Sequence, residues 1–522
     1  MTSRLAIFSI IALAMMARAW LQFGTPWVPG MNGAYYFVQA RALLDRGTLG
    51  IPDMPLLFHL DAALAWLFGR VSEASQADRI VLAVKLCDSL LPPLAAGPVF
   101  VLVRRWALAA GRGDGMALAA AALVCLSSPL LGMVGDFQKN SLALVWLAAL
   151  AVALNLWLAE HRRGRFLALM ACLAALGLTH IGVLGSALVL IGAVFVVRLL
   201  LYGPGRWRAR LPWLAGGVAM LAGAAGLVLW RFDAARIHRL TVALTNPAQF
   251  SSDGMQMPMP PGGAMQWMRW LMAVPFVAVS VPVLVIAWRQ RKSLPPADAT
   301  VAAGCALTVL ALTGPWFGMD KAMRFTLIAI IPAVFTAAFG GLRITSPTWR
   351  RTLVTLALLA LIGTSVPRLW RGGRPILSDA ALRELSGLAP QIFDPEHTLI
   401  SAQHGVEWWT AWLLHTRIAQ ASALRAEDWK RFQQVLFLEV KSGMQMPVGP
   451  PGGPKPPRGP GFGSASGFPA PPGDGLSRMP GGKLPPHMAA AIPPDAEIIH
   501  DGECLKLARV RALPSEPDES RR

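Results

Sequence analysis

Ionisable side chains gather at a few points in a chain that is otherwise apolar. Asp136 and Lys139 fall within Gly135-Asp136-Phe137-Gln138-Lys139-Asn140, a short polar break between two apolar runs. Asp320, Lys321 and Arg324 sit in a second such break and Thr179-His180 in a third, while a longer stretch holds Asp53, His59 and Asp61. Ionisable groups at the ends of apolar segments, facing one aqueous side, mark the places where a membrane protein handles polar substrates. A carboxylate there can take a proton, and an ammonium or guanidinium can hold an anion. The plainer reading is that short loops need polar residues and that Asp136 pairs with Lys139. The recurrence of such breaks, together with the Asp53 stretch, favours a shared cavity on one side of the membrane. Further on, His404-Gly405-Val406-Glu407 spaces a histidine and a carboxylate i,i+3. That spacing suits a functional pair facing the membrane site or a capped helix start.

The elements that must position these groups are membrane helices. Of 522 residues, 54% are hydrophobic and only 15% charged, and the mean hydropathy is +0.48. Apolar runs approaching ~20 residues, the length a helix needs to cross a bilayer, recur as far as Val366. The net charge of +19 sits largely in clusters between those runs: Arg104/Arg105/Arg112, Arg162/Arg163/Arg165, Arg206/Arg208/Arg210, Arg289/Arg291/Lys292 and Arg343/Arg350/Arg351. They occupy every second loop, as the positive-inside rule requires of cytoplasmic loops, so the charge reports topology and not a nucleic-acid partner. About eleven spans follow, with a cytoplasmic N-terminus and an extracytoplasmic C-terminal region. They are Leu5–Phe23, Ile80–Val103, Met116–Val134, Ser141–Leu158, Phe166–Leu178, Gly182–Leu201, Leu211–Trp230, Trp267–Trp288, Thr300–Met319, Phe325–Leu342 and Thr352–Val366. Arg4, an apolar stretch and Ala17-Arg18-Ala19 also match a cleavable signal peptide; a retained helix is expected, with Arg18 snorkelling to the outer interface. Pro92, Pro93, Pro275, Pro282 and Pro332 predict kinks, and Lys85 and Asp88, charged within the second span, can pair with each other.

The first outer loop, 24–78, carries two stretches that read as helices along the membrane surface. Asn32–Arg46 puts Tyr35, Tyr36, Ala40 and Leu43 on one face, and Pro55–Phe68 does the same with Leu56, Leu60, Leu64 and Leu67. Another long outer loop spans Arg231–Gln266. Past the transmembrane domain, 1–367, strands are expected at Thr398–Ala402, Val435–Val440, Glu497–His500 and Cys504–Val510, with a helix from about His404. Residues 368–445 and 495–513 thus form a small extracytoplasmic α+β domain. It is interrupted by 446–494, too rich in proline and glycine to pack, and followed by a disordered tail, 514–522. Gly254-Met255-Gln256-Met257-Pro258 recurs as Gly443-Met444-Gln445-Met446-Pro447. Such thioethers could hold Cu(I) or make apolar loop tips; no Cys or His accompanies them, and the cysteine spacing specifies neither disulfides nor a metal site.

With its span layout and long first loop the chain resembles the GT-C superfamily of membrane glycosyltransferases, which includes protein O-mannosyltransferases and oligosaccharyltransferases. The resemblance rests on Gly30-Met31-Asn32-Gly33-Ala34-Tyr35-Tyr36, Ala40-Arg41-Ala42-Leu43-Leu44, Gly47, Pro52-Asp53-Met54-Pro55-Leu56 and the acid Asp136 after the third span. It implies an all-α polytopic fold and transfer of a sugar from a polyprenyl-phosphate donor to an acceptor on the outer face of the cell (inner) membrane. Asp136 or Asp53 would be the catalytic base. Asn32, Tyr35, His59, Lys139, His180, Asp320, Lys321 and Arg324 would hold substrate, the cations and His180 facing the lipid phosphate. Family members place an acid shortly after the first span where this chain has Asn32, which can hydrogen-bond a sugar but cannot act as a base. A divalent metal is possible from the outer-loop acids, although no ligand spacing specifies one. The competing classes are a non-catalytic assembly protein and a transporter, the latter disfavoured by the scarcity of mid-span charges and the lack of inverted repeats.

Overall fold

The computed structural model describes residues 2–203, 264–317, 319–392, 394–420, 431–442, 444, 492 and 496–510, with residues 216, 219, 223 and 226. The helices run in the order α1 Thr2–Phe23, α2 Gly33–Arg46, α3 Leu56–Phe68, α4 Gln76–Leu90, α5 Ala96–Ala109, α6 Gly115–Leu126, α7 Ser128–Leu131 and α8 Gln138–Ala159. Then follow α9 Arg163–Thr179, α10 Ile181–Tyr202, α11 Ala264–Arg289, α12 Pro296–Thr313, α13 Met319–Leu342, α14 Pro347–Arg371, α15 Asp379–Gly387 and α16 Val406–Leu414. Each expected span other than Leu211–Trp230 has a helix at its place. That span, the loop Arg231–Gln266, both copies of the methionine–proline repeat, the insertion 446–494 and the tail 514–522 lie outside the described residues, isolated positions apart. Among the described residues, seven helices are long and apolar enough to cross a bilayer, and the chain is a multi-pass membrane protein. Pro92 and Pro93 turn the second span through a 3₁₀ segment, Pro92–Ala95, between α4 and α5. Pro275, Pro282 and Pro332 lie within continuing helices.

The chain forms two compact units: Met1–Gly24 with Ala42–Gly372, and Thr25–Arg41 with Gly373–Arg522. In the first, α12 lies along α10, α11 and α13, and 78% of its apolar window is buried, against 11% for α14. Small residues let α12 approach its neighbours: a Cβ on Gly304 would stand 2.3 Å from Val194 Cγ2 and 3.0 Å from Val194 Cα. Val197, Ala287 and Ala303 form the seam between α10, α11 and α12. Ala17, Leu21, Leu131 and Val134 fasten α1 to the segment following α6.

One expectation is corrected here, and the leucine face of the first loop's second helix is turned as a helix lying on a membrane requires. Arg18 does not snorkel; it is 2% exposed and ion-paired inside the bundle. The leucine face of α3 is turned outward: Leu60 and Leu67 are exposed, whereas Leu57, Phe58, Asp61, Ala62 and Ala65 are buried. In water the richer apolar face would turn inward. Hydrocarbon is as apolar as leucine, so an apolar face left toward lipid carries no penalty and the protein side can take a polar group. Burial around α2 also extends beyond one face, covering Ala34, Tyr36, Phe37, Gln39, Ala40 and Ala42.

The second unit is α+β. Its five-stranded sheet comprises β1 Thr398–Ala402, β2 Arg417–Gln420, β3 Gln434–Val440, β4 Glu497–Asp501 and β5 Leu505–Val510, in the order β2-β1-β3-β5-β4. β1 is parallel to β2 and β3, and β5 is antiparallel to β3 and β4. β1 is buried along its whole length, the pattern of a central strand covered on both faces, and Leu399, Val435 and Phe437 pack together across it. Glu384 on α15 accepts from the Cys504 and Leu505 backbone N–H groups at 2.8 and 3.0 Å and from His500 Nε2 at 2.9 Å. Burial opposes its ionisation, but His500 and the two N–H groups outweigh it and hold the carboxyl below its usual range. A depressed folded pKa gives stability that is full above the ordinary glutamate value and lost as pH falls through the folded one. Glu384→Gln is therefore expected to lower amide protection at Cys504 and Leu505 at neutral pH in hydrogen exchange, with the two proteins converging in acid. Equal protection at neutral pH would remove the clamp from this account.

Candidate functional site

In the first unit the ionisable residues are organised around two carboxylates. Asp53, in the turn before α3, is 4% exposed, and its Oδ1 accepts from Met54 N at 2.8 Å. Its Oδ2 meets the ammonium of Lys139, in the first turn of α8. That ammonium also lies 5.3 Å from the centre of the Phe58 ring, so Asp53, α3 and α8 converge on one cation. The turn carrying Lys139 is fixed by Gly135, whose φ of +80° suits glycine and aims its N–H at Asp88 Oδ2, 2.8 Å away. Asp136, half-buried, follows in the same turn.

Asp88 is the second centre. Arg18 Nη2 donates to its Oδ1 at 2.5 Å and Gln22 Nε2 to its Oδ2 at 2.5 Å. Arg18 also donates to the carbonyls of Asp88 and Leu130, at 2.7 and 3.0 Å. One carboxylate therefore ties α1, α4 and the Gly135 turn together, and its partners are Arg18, Gln22 and Gly135 rather than Lys85. Asp61, on the inward face of α3, is fully buried. Burial pushes its carboxyl up to about 8; the Cys87 thiol beside it lowers the value and the Asp88 carboxylate raises it. Asp61 is thus largely a neutral acid at physiological pH, which is why it can sit there.

In the second unit, residues from the first loop meet the C-terminal helix α16. The Tyr35 and Trp408 rings lie 4.8 Å apart, Trp27 and Trp409 5.5 Å, and Phe37 and Trp412 5.0 Å. Gly405 turns at φ +93° directly against Met31, the neighbour of Asn32; a Cβ there would stand 2.5 Å from Met31 Cγ. His404 Nδ1 is 2.9 Å from Glu407 Oε1, with the histidine 33% exposed and the glutamate 1%. With its proton on Nδ1 the ring donates to Glu407 and keeps Nε2 as the basic nitrogen. Arg41 caps the end of α16, donating to Ala411 O at 2.6 Å and Trp412 O at 2.9 Å while its guanidinium lies over the Trp412 ring. Neither Arg41 nor β2 was foreseen, because each takes its place from partners remote in sequence.

The sequence candidates distribute unequally over these arrangements. Asp53 and Lys139 are brought into direct contact, with Asp136 in the adjoining turn; Tyr35 packs on Trp408 and Met31, next to Asn32, on Gly405. His59 is on the exposed side of α3, its Nδ1 2.9 Å from Pro55 O. His180 caps α10, accepting from Val183 N at 3.2 Å, so it is engaged by its own helix. Lys321 and Arg324 lie in the first turns of α13, half-buried and exposed respectively; the side chain of Asp320 is outside the described residues. Among the described residues no group of three His, Cys, Asp or Glu side chains is placed to hold a metal ion. Asp53 directs its carboxylate to Lys139 and Met54 N.

No family model matches the chain, and no curated protein does. Among solved structures, ArnT from Cupriavidus metallidurans in the apo state matches with a TM-score of 0.53 and 16% identity, covering 84% of this chain and 93% of that one. ArnT from the same organism bound to undecaprenyl phosphate aligns with a TM-score of 0.47 and 14% identity, covering 83% and 93%. The first likeness shows the fold: this chain has the polytopic architecture of ArnT, a GT-C glycosyltransferase.

Proposed function

We propose that this protein is a glycosyltransferase of the bacterial inner membrane, moving a sugar from a polyprenyl-phosphate donor to an acceptor on the extracytoplasmic face. The observation that carries the reading is the buried Asp53–Lys139 pair at the first loop of a GT-C fold. In the transfer, the acceptor oxygen bonds to the anomeric carbon as the bond from that carbon to the phosphate oxygen breaks. The acceptor proton goes to a carboxylate and the electron pair leaves with the lipid phosphate. Asp53 and Lys139 suit those two tasks and neutralise each other at rest. Donor phosphate, doubly able to accept from an ammonium, draws Lys139 away from Asp53 and so exposes the base only when the donor is present.

A second assignment of the base is favoured by His404–Glu407. A histidine held through Nδ1 by a buried carboxylate is an oriented general base, able to fill the role that Asn32 cannot.

The reading is tested with the full-length protein in nanodiscs and a panel of labelled polyprenyl-phosphate sugars, in the presence of membrane extract as acceptor source. Donor consumption with release of polyprenyl phosphate is expected. A folded protein that leaves every donor intact would sink it.

A further inference from the structure

We propose that the first loop carries an anion site, apart from the residues assigned to sugar transfer, that takes the phosphate of a membrane lipid. A cavity of about 310 Å³ lies where the end of α2, the end of α3 and the start of α4 meet, lined by Leu44, Trp66, Gly69, Arg70, Gln76 and Arg79 among others. The inference goes beyond the transferase reading and does not depend on it.

Two guanidinium groups line this cavity, and each is held in place by something other than an acid. Arg70 lies over the Trp66 ring, 4.7 Å from its centre. Arg79 rests against Gly69, where a Cβ would stand 1.9 Å from its Nη1, so any side chain there moves the guanidinium. Neither arginine has an ion pair among the described residues, and Arg79 Nε is shielded from solvent with no hydrogen-bond acceptor. Neither neighbouring acid pairs with these arginines: Asp45 accepts from Gln76 Nε2 at 2.7 Å and Asp78 from the Ser75 hydroxyl at 2.7 Å. Paired guanidinium forks are the usual partners of phosphate, whose several oxygens can accept from both at once.

The surroundings select a lipid as the source of that phosphate. Trp66 is 55% exposed, Leu67 51% and Val71 77%, and Leu60 continues the same apolar side of α3. An exposed indole and leucine face beside arginines is the arrangement found where headgroups meet hydrocarbon. The phosphate enters the cavity while its acyl chains run along α3.

The test uses the full-length protein and native mass spectrometry with dioleoyl phosphatidic acid, phosphatidylcholine and, in a separate arm, inorganic phosphate. Phosphatidic acid is expected to bind and phosphatidylcholine not to displace it. The Arg70→Gln, Arg79→Gln double variant should weaken binding by at least about tenfold. Gly69→Ala should weaken it as well, although it removes no charge, because the added methyl displaces the Arg79 guanidinium; it also stands in if the double variant fails to fold. Unchanged affinity in either variant overturns the built cavity. Displacement of the lipid by an equal concentration of inorganic phosphate overturns the lipid assignment.

Discussion

Asp53→Asn is expected to reduce sugar transfer by roughly 10²–10⁴-fold, the range removed when a positioned proton acceptor is lost. The amide keeps the size and the hydrogen bond from Met54 N but cannot take a proton from the acceptor hydroxyl. Loss of the carboxylate also breaks the ion pair of Lys139, whose side chain is 13% exposed. Removing one partner of a buried pair is costly, of order 3–5 kcal/mol. Stability and chemistry are separated by adding Lys139→Met. The double variant is expected to regain thermal stability, since an apolar chain can pack on Phe58, while transfer stays absent. If Asp53→Asn turns over normally and His404→Gln does not, the base lies on the C-terminal unit and the Asp53–Lys139 pair is architectural.

Asp88→Ala is expected to give the largest loss of stability of any single change in the first unit. It leaves Arg18 buried and unpaired, takes the acceptor from Gln22, and frees the Gly135 N–H that fixes the turn before α8. About 3–5 kcal/mol is the usual cost of breaking a buried ion pair, a large share of the ~5–15 kcal/mol that holds a folded domain together. Thermal unfolding in nanodiscs should show the drop directly. Arg18→Met with Asp88→Leu should recover much of it, because replacing both partners removes the orphaned charge. A single Asp88→Ala variant as stable as the parent would show that the cluster is hydrated and not buried as described.

The span layout, the loop helices and most strands of the small domain were legible because each depends on local pattern: run length, arginine clusters and alternation. What was not legible depends on partners. The pairing of Asp88 is the clearest case, since i,i+3 spacing offers Lys85, whereas the bundle brings Arg18 and Gln22 from a different helix. The candidate residues fared in the same way. Lys139 was identifiable as a charge at a span end and Asp53 as an acid of the first loop, but Asp136 was the nearer partner in sequence for Lys139. The gathering of Trp27, Tyr35 and Phe37 around α16 leaves no trace in local composition at all.

That gathering has a consequence for how the protein is made. Thr25–Arg41 is part of the same compact unit as Gly373–Arg522, so its strip of aromatic side chains emerges from the ribosome long before the helix that covers it. Arg41 and Trp412 are 371 positions apart. At ~5–20 residues per second, the strip waits roughly 20–70 s while the membrane helices between are threaded into the bilayer. During that interval Trp27 and Phe37 are uncovered. A chain cut short before α16 never covers them, and it presents to quality-control proteases a sticky, unfinished surface that the complete chain conceals.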